Sequence, residues 1–265
     1  MDTEKCSNFE ISNTIGMEIY CINNKKTESF EPGISFSEVF KRFDLTLKGA
    51  PMCVCANGKI TDLDSKVYEA CDVEFLDATT SLGARSYLLG LVFVLYKAVT
   101  ELYPGGRIRV SNAISKGFYC PVEIGRDITD DDVTVISERM GSIIGRNIPF
   151  VKHTAHTSEV ADIMERAGRK DNVRLLRSIG SIYTSYYTLE ELPDWFFGTL
   201  PPNTGCLKVF GLEPMSGRSM RVPGKGKGAW RRASRPYGRA ARRGECRSGR
   251  KTRRKAPGWG PRRGR

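Results

Sequence analysis

The chain has 265 residues, with 42 Lys and Arg against 30 Asp and Glu and a formal net charge of +12. Of those 42 cations, 19 fall in residues 214–265 beside a single acid, Glu245, so that segment carries +18 and the first 213 residues carry −6. This excludes a polybasic folded surface as the source of the charge; the longest apolar stretch, Tyr87 to Tyr96, is also well short of the ~20 residues that a membrane helix needs.

In chain order, the start (Met1-Asp2-Thr3-Glu4-Lys5-Cys6) has no basic stretch leading into an apolar run. The expectation is therefore no secretory signal, no membrane association and a cytoplasmic location, with residues 1–16 as a leading segment. Met17 to Asn23 alternates apolar and polar residues, as a half-buried strand does. Asn24-Lys25-Lys26 turns the chain into a second strand ending near Phe30. After the Pro32-Gly33 turn, Phe36, Val39, Phe40 and Phe43 recur at helical spacing, and Ser35 or Ser37 caps the start. Met52 to Ala56 reads as a strand, Asn57-Gly58 as a hairpin turn and Cys71 to Leu76 as a last strand.

A core helix is expected over Ser86–Leu102, apolar nearly all round in its first half and ended by Pro104-Gly105-Gly106. Strand material follows at Arg107–Val110. A helix then opens at Thr129 with three aspartates in its first turn and runs to Met140. A further helix, Ser158–Ala167, stops at Gly168. The class is α+β, divided into residues 17–79, residues 80–213 and a basic disordered tail, 214–265, whose composition offers little apolar surface to offset chain entropy.

Eight Cys lie at 6, 21, 53, 55, 71, 120, 206 and 246 without a C-x-x-C pair, which reads as reduced, small core residues. His153 and His156 are the only histidines. Their H-x-x-H spacing raises a weak metal alternative, with Glu159 as the only further ligand nearby, against surface histidines beside a helix start.

The order β-β-α-β-β over residues 17–79, with Ala56-Asn57-Gly58-Lys59-Ile60-Thr61-Asp62-Leu63, resembles the TGS domain, a β-grasp fold and a non-catalytic adaptor. Residues 80–213 resemble the editing domain of threonyl-tRNA synthetases. The strings that carry this are Glu101-Leu102-Tyr103-Pro104, Gly117-Phe118-Tyr119, Asp131-Asp132-Val133, Glu138-Arg139-Met140 and Pro202-Asn203-Thr204-Gly205. That resemblance implies a zinc-type quartet: two His four apart on the core helix, then a Cys and a His before the last string. Here the four positions hold Leu89, Phe93, Phe196 and Leu200, which neither bind metal nor move a proton. The expectation is that the chain has no catalytic, nucleotide-binding or metal residues for hydrolytic editing.

The same pairing with the same losses resembles the N-terminal half of bacterial uridine/nucleoside kinase-like proteins, on Leu95 to Val99, Ser115 to Cys120, Gly180 to Thr184 and Gly198 to Phe210. In that family a P-loop kinase domain follows, and ATP and Mg would belong to it; no cofactor is expected for this chain. No G-x-x-x-x-G-K-S/T string occurs, and Gly224-Lys225-Gly226-Lys227-Gly228 lacks the spacing. The resemblance stops at Gly211-Leu212, where composition jumps to Arg, Gly, Ala, Pro and Trp. Two readings stand for the tail: a frameshifted read of GC-rich DNA, or a basic arm that binds nucleic acid non-specifically through phosphates. For the whole chain the leading expectation is a non-catalytic regulatory or assembly portion of a nucleoside kinase, with self-association or contacts to other subunits. The alternative is an RNA- or tRNA-binding protein.

Overall fold

The computed structural model describes residues 16–109, 113–114, 117–215 and 219–223. Strand β1 (Met17–Cys21) buries Met17, Ile19 and Cys21 and exposes the residues between, as its alternation requires. It turns back into β2 (Lys26–Phe30). A short β3 (Ile34–Ser35) leads into α1 (Phe36–Arg42), where the Ser35 hydroxyl accepts from the Glu38 N–H and the Glu38 carboxylate reaches back to Ser35. Of the two candidate caps, Ser35 is the one used. Then β4 (Pro51–Ala56) and β5 (Lys59–Thr61) form a hairpin through Asn57 and Gly58, both at positive φ (46° and 81°), which suits Asn-Gly. A short β6 (Lys66–Val67) pairs with β3, and β7 (Cys71–Asp77) completes a five-stranded sheet of order β2-β1-β7-β4-β5. Within it β7 runs parallel to β1 and antiparallel to β4. Helix α1 covers one face, closing a core of Ile19, Phe30, Phe36, Val39, Val54 and Phe75.

Helix α2 (Ser81–Leu102) begins five residues before the expected Ser86. The Thr80 hydroxyl accepts from the Gly83 N–H, an N-cap masked in the sequence by the glycine that follows it. At 22 residues α2 is long and apolar enough to cross a membrane, but most of it is buried in the fold, so it is a core helix. Against it pack β8 (Arg107–Ile108), β10 (Gly117–Glu123), paired with the short β9 (Ala113–Ile114), and α3 (Asp130–Gly145). The part of the expected 107–110 strand beyond Arg109 lies outside the described residues. Helix α3 runs past Met140 because Ile143 and Ile144 continue the buried stripe of Val133, Ile136 and Met140 beyond Gly141.

Next come β11 (Val151–His156), α4 (Thr157–Arg166) and α5 (Lys170–Ser178), followed by the hairpin β12 (Tyr183–Leu189) and β13 (Leu192–Asp194). The order β11-β12-β13 forms a three-stranded sheet, and Val160, Met164, Val173, Leu176 and Trp195 close a small core over it. Past the 3₁₀ turn Thr204–Cys206, β14 (Glu213–Met215) and β15 (Ser219–Pro223) form a hairpin, and β15 pairs with β10 from Gly117 to Pro121. This corrects the boundary set at Glu213, since the first residues of the expected disordered tail are strand. Ser219-Met220-Arg221-Val222 alternates polar and apolar, a period-2 pattern hidden among the arginines. Residues 1–15 and 224–265, the Gly224–Gly228 string among them, lie outside the described residues.

Candidate functional site

Leu89, Phe93, Phe196 and Leu200, which stand where the resemblance would place metal ligands, lie in or against one apolar core. Phe93, fully buried on α2, has its ring centroid 5.2 Å from Phe196 and 5.8 Å from Phe150. Leu200 is buried, and Leu89 and Phe196 pack against the same core. The segment from Phe196 to Leu200 lies tight on the helix. Gly198 sits at φ 141°, and a Cβ there would meet the Leu89 Cδ1 at 3.0 Å, so only glycine fits. Among the described residues no group of three His, Cys, Asp or Glu could hold a metal ion.

His153 and His156 lie on β11, which leads directly into α4, so the pair stands beside a helix start as expected. Three residues apart on a strand, they point to opposite faces. His153 stacks on Tyr186 at 5.1 Å and its Nε2 shares a proton with the Thr188 hydroxyl at 3.0 Å. His156 is the N-cap of α4, its Nδ1 accepting from the Ser158 N–H at 3.4 Å. Each ring is engaged locally.

The polar groups that sequence reasoning passed over sit a few ångströms away. Asp62, just after β5 and 7% exposed, accepts at Oδ1 from the Tyr187 hydroxyl (2.7 Å) and the Leu200 N–H (3.3 Å). Its Oδ2 accepts from the Lys152 ammonium at 2.6 Å. One carboxylate thus fastens the loop after β5 to β11, to β12 and to the segment that carries Leu200. Burial, then the Asp62 charge, pushes the Tyr187 phenol far above its ordinary range. Burial pushes the nearby Cys53 thiol up to about 12, against the hydrogen bond of Thr199. A phenol and a thiol held protonated beside a carboxylate committed to three donors make a fastening and leave no nucleophile poised. Beside it opens a cleft of about 330 Å³ lined by Leu63, Asp64, Ser65, Phe150, Thr154 and Pro202. Burial, then Asp62, raises the Asp64 carboxyl.

Two further hubs lie around α2. Asp194, fully buried, takes both arms of the Arg169 guanidinium (3.0 and 2.6 Å) and the Asn172 amide (2.7 Å), while Arg169 also lies over the Tyr96 ring. Burial raises the Asp194 carboxyl, and Arg169 pulls against that rise. Lys97, buried on α2, pairs with Glu101 at 3.0 Å and with Glu190 at 2.7 Å. Asp62, Tyr96, Lys97, Glu101 and Leu200 sat in strings singled out from the sequence, but nothing local to them points to Lys152, Arg169, Tyr187 or Glu190, which they meet far along the chain.

No family model matches the chain. It is similar to threonine–tRNA ligases: 28% identical to that of Syntrophomonas wolfei over 193 residues, which is 72% of this chain and 30% of the ligase. Against the ligase of Carboxydothermus hydrogenoformans it is 25% identical over 205 residues, 77% of this chain and 32% of the ligase. Against that of a Wolbachia strain it is 28% identical over 172 residues, 64% of this chain and 27% of the ligase. The chain therefore holds a threonyl-tRNA-ligase-like α+β region and spans about 30% of the length of these curated relatives.

Proposed function

We propose that the folded part of this chain is a synthetase-like module that recognises tRNA-shaped RNA without hydrolysing it, residues 17–79 serving as a TGS-type β-grasp lobe and the rest as an editing-type lobe. The observation that carries this reading is the meeting of two facts. Similarity to threonine–tRNA ligases extends over about 70% of the chain, and the four positions where hydrolytic chemistry would reside form one apolar cluster around Phe93. A site that keeps its scaffold and loses its ligands retains shape recognition and loses the means to activate water. The parallel β1–β7 pair, the hairpin before α1 and the β4–β5 hairpin after it support the β-grasp reading.

The test is RNA binding by a chain ending at Pro223, which keeps β15 and discards the arginines beyond it. At ~0.15 M salt it is expected to prefer tRNA over a duplex of equal length. Equal, weak binding to both would contradict the reading. It would favour the second one, a regulatory half of a cytoplasmic nucleoside kinase, which the same loss of ligands also supports.

A further inference from the structure

β11 is an edge strand of its sheet, and the chain itself takes up only the first part of the lane beside it. Pro149 forms an antiparallel bridge with Asn203. The Phe150 N–H donates to the Pro202 carbonyl at 3.2 Å, and the Thr204 N–H donates to the Ile148 carbonyl at 2.8 Å. There the pairing stops. Pro201 and Pro202 have no N–H, and the Leu200 N–H turns to Asp62 at 3.3 Å. Phe150 donates away from β12 while Thr157 donates toward it, to the Ile182 carbonyl, and the register between them is unbroken. Alternation therefore leaves the N–H and C=O of Lys152 and Thr154 on the outer side, without a partner among the described residues.

These groups face the cleft of about 330 Å³, which Leu63, Asp64 and Ser65 wall and Pro202 ends. Its closed end is acidic. Asp62 and Asp64 stand there against one cation, Lys152, whose ammonium is tied to Asp62 at 2.6 Å. Among the described residues no hydrogen bond or ion pair holds the Asp64 carboxylate, and after burial the Asp62 charge raises it.

We propose that this cleft binds the free N-terminus of an extended peptide, which continues the lane as a strand parallel to β11. The direction follows from charge. A strand antiparallel to β11, as the chain is from Pro202 to Thr204, would bring a C-terminal carboxylate to the end that holds two aspartates. A parallel strand brings its ammonium there instead. In that register the ammonium donates to the Lys152 carbonyl and to the Asp64 carboxylate. The first carbonyl of the peptide accepts from the Thr154 N–H, and its third N–H donates to the Thr154 carbonyl. Main-chain bonds of this kind give affinity without regard to sequence, and the charge-assisted bond to Asp64 selects the free amine. This inference is independent of the RNA reading.

The test is a calorimetric titration of the full chain, nuclease-treated and in about 0.3 M salt to screen its basic tail, with C-terminally amidated tetra-alanine as the probe. Binding at about 1 mM or tighter is expected. Acetylating the amine is expected to weaken it about tenfold, because the charge-assisted bond is lost. Asp64→Asn, a change at an exposed position, is expected to shrink that difference to about twofold. Thr154→Pro removes an outward N–H without touching the ladder to β12, so it is expected to abolish binding of both peptides with an unchanged far-UV spectrum. No binding at about 10 mM peptide, equal binding of the free and acetylated forms, or a tenfold difference that survives Asp64→Asn overturns the inference. So does binding that improves when the amide is replaced by a free carboxylate, because the strand would then run the other way.

Discussion

Two regions meet at the segment from Phe196 to Leu200 and follow opposite rules. On its inner side Phe196 and Leu200 join Leu89 and Phe93 in a cluster held by area and shape. On its outer side the Leu200 N–H enters a hydrogen-bonded hub centred on Asp62. The apolar side is tolerant of chemistry and intolerant of lost volume; the polar side is the reverse, because a buried donor without its acceptor costs its full desolvation. A metal centre would need both properties in one place: ligands that coordinate, and second partners that orient them. This protein separates them. Here a polar network gathers on Asp62, while Leu89, Phe93, Phe196 and Leu200 form an apolar cluster beside it.

The sharpest way to break the comparison is to empty the apolar side. Phe93→Ala leaves a cavity between Phe150 and Phe196 and is expected to cost about 3–5 kcal/mol, read from urea unfolding. A loss under about 1 kcal/mol would mean that the cluster is loosely packed. On the polar side, Asp62→Ala strands the Leu200 N–H and leaves the Tyr187 hydroxyl only the Gly198 carbonyl at 3.4 Å, and is expected to cost about 2 kcal/mol, with Lys152 adding little because it reaches solvent. Tyr187→Phe removes donor and need together, and should cost about 1 kcal/mol in the same assay.

A pH series sharpens the contrast further. The Arg126 guanidinium, with Tyr103 and Thr129, holds the Asp132 carboxyl well below the usual carboxylate range. A depressed folded value stabilises the ionised state. That contribution is present above the unfolded value of about 4 and drains away as acid takes the pH down toward the folded one. Asp132→Asn is expected to flatten the acid limb of stability below about pH 4 and to leave its slope near neutral pH unchanged. An unaltered acid limb would show that this network does not govern acid sensitivity.

How much of this is legible in the sequence differs between the same two regions. The Asn57-Gly58 hairpin, the Ser35 cap and the core helix announce themselves locally, by turn chemistry and by period. The apolar quartet is legible too, once Leu89 and Phe93 are placed four apart on that helix. The polar hub is not. Asp62 meets Lys152 and Tyr187 at separations of 90 and 125 residues, and nothing around any of the three records the others. Helix α5 and the β12–β13 hairpin escape for a related reason. Their short amphipathic stretches, such as Val173 and Leu176, become core only against Trp195 and α4. The tail misleads in the opposite direction, because its net charge masks the alternation at Ser219–Val222.

The central claim is that the fold keeps recognition and has lost hydrolysis. The most direct measurement mixes the chain ending at Pro223 with mischarged threonine tRNA and follows binding and deacylation in the same sample. The account predicts a complex in which the ester decays at its rate in buffer alone, because Leu89, Phe93, Phe196 and Leu200 provide no group to activate water. Deacylation that rises with the amount of protein would contradict it directly, as would the absence of any complex.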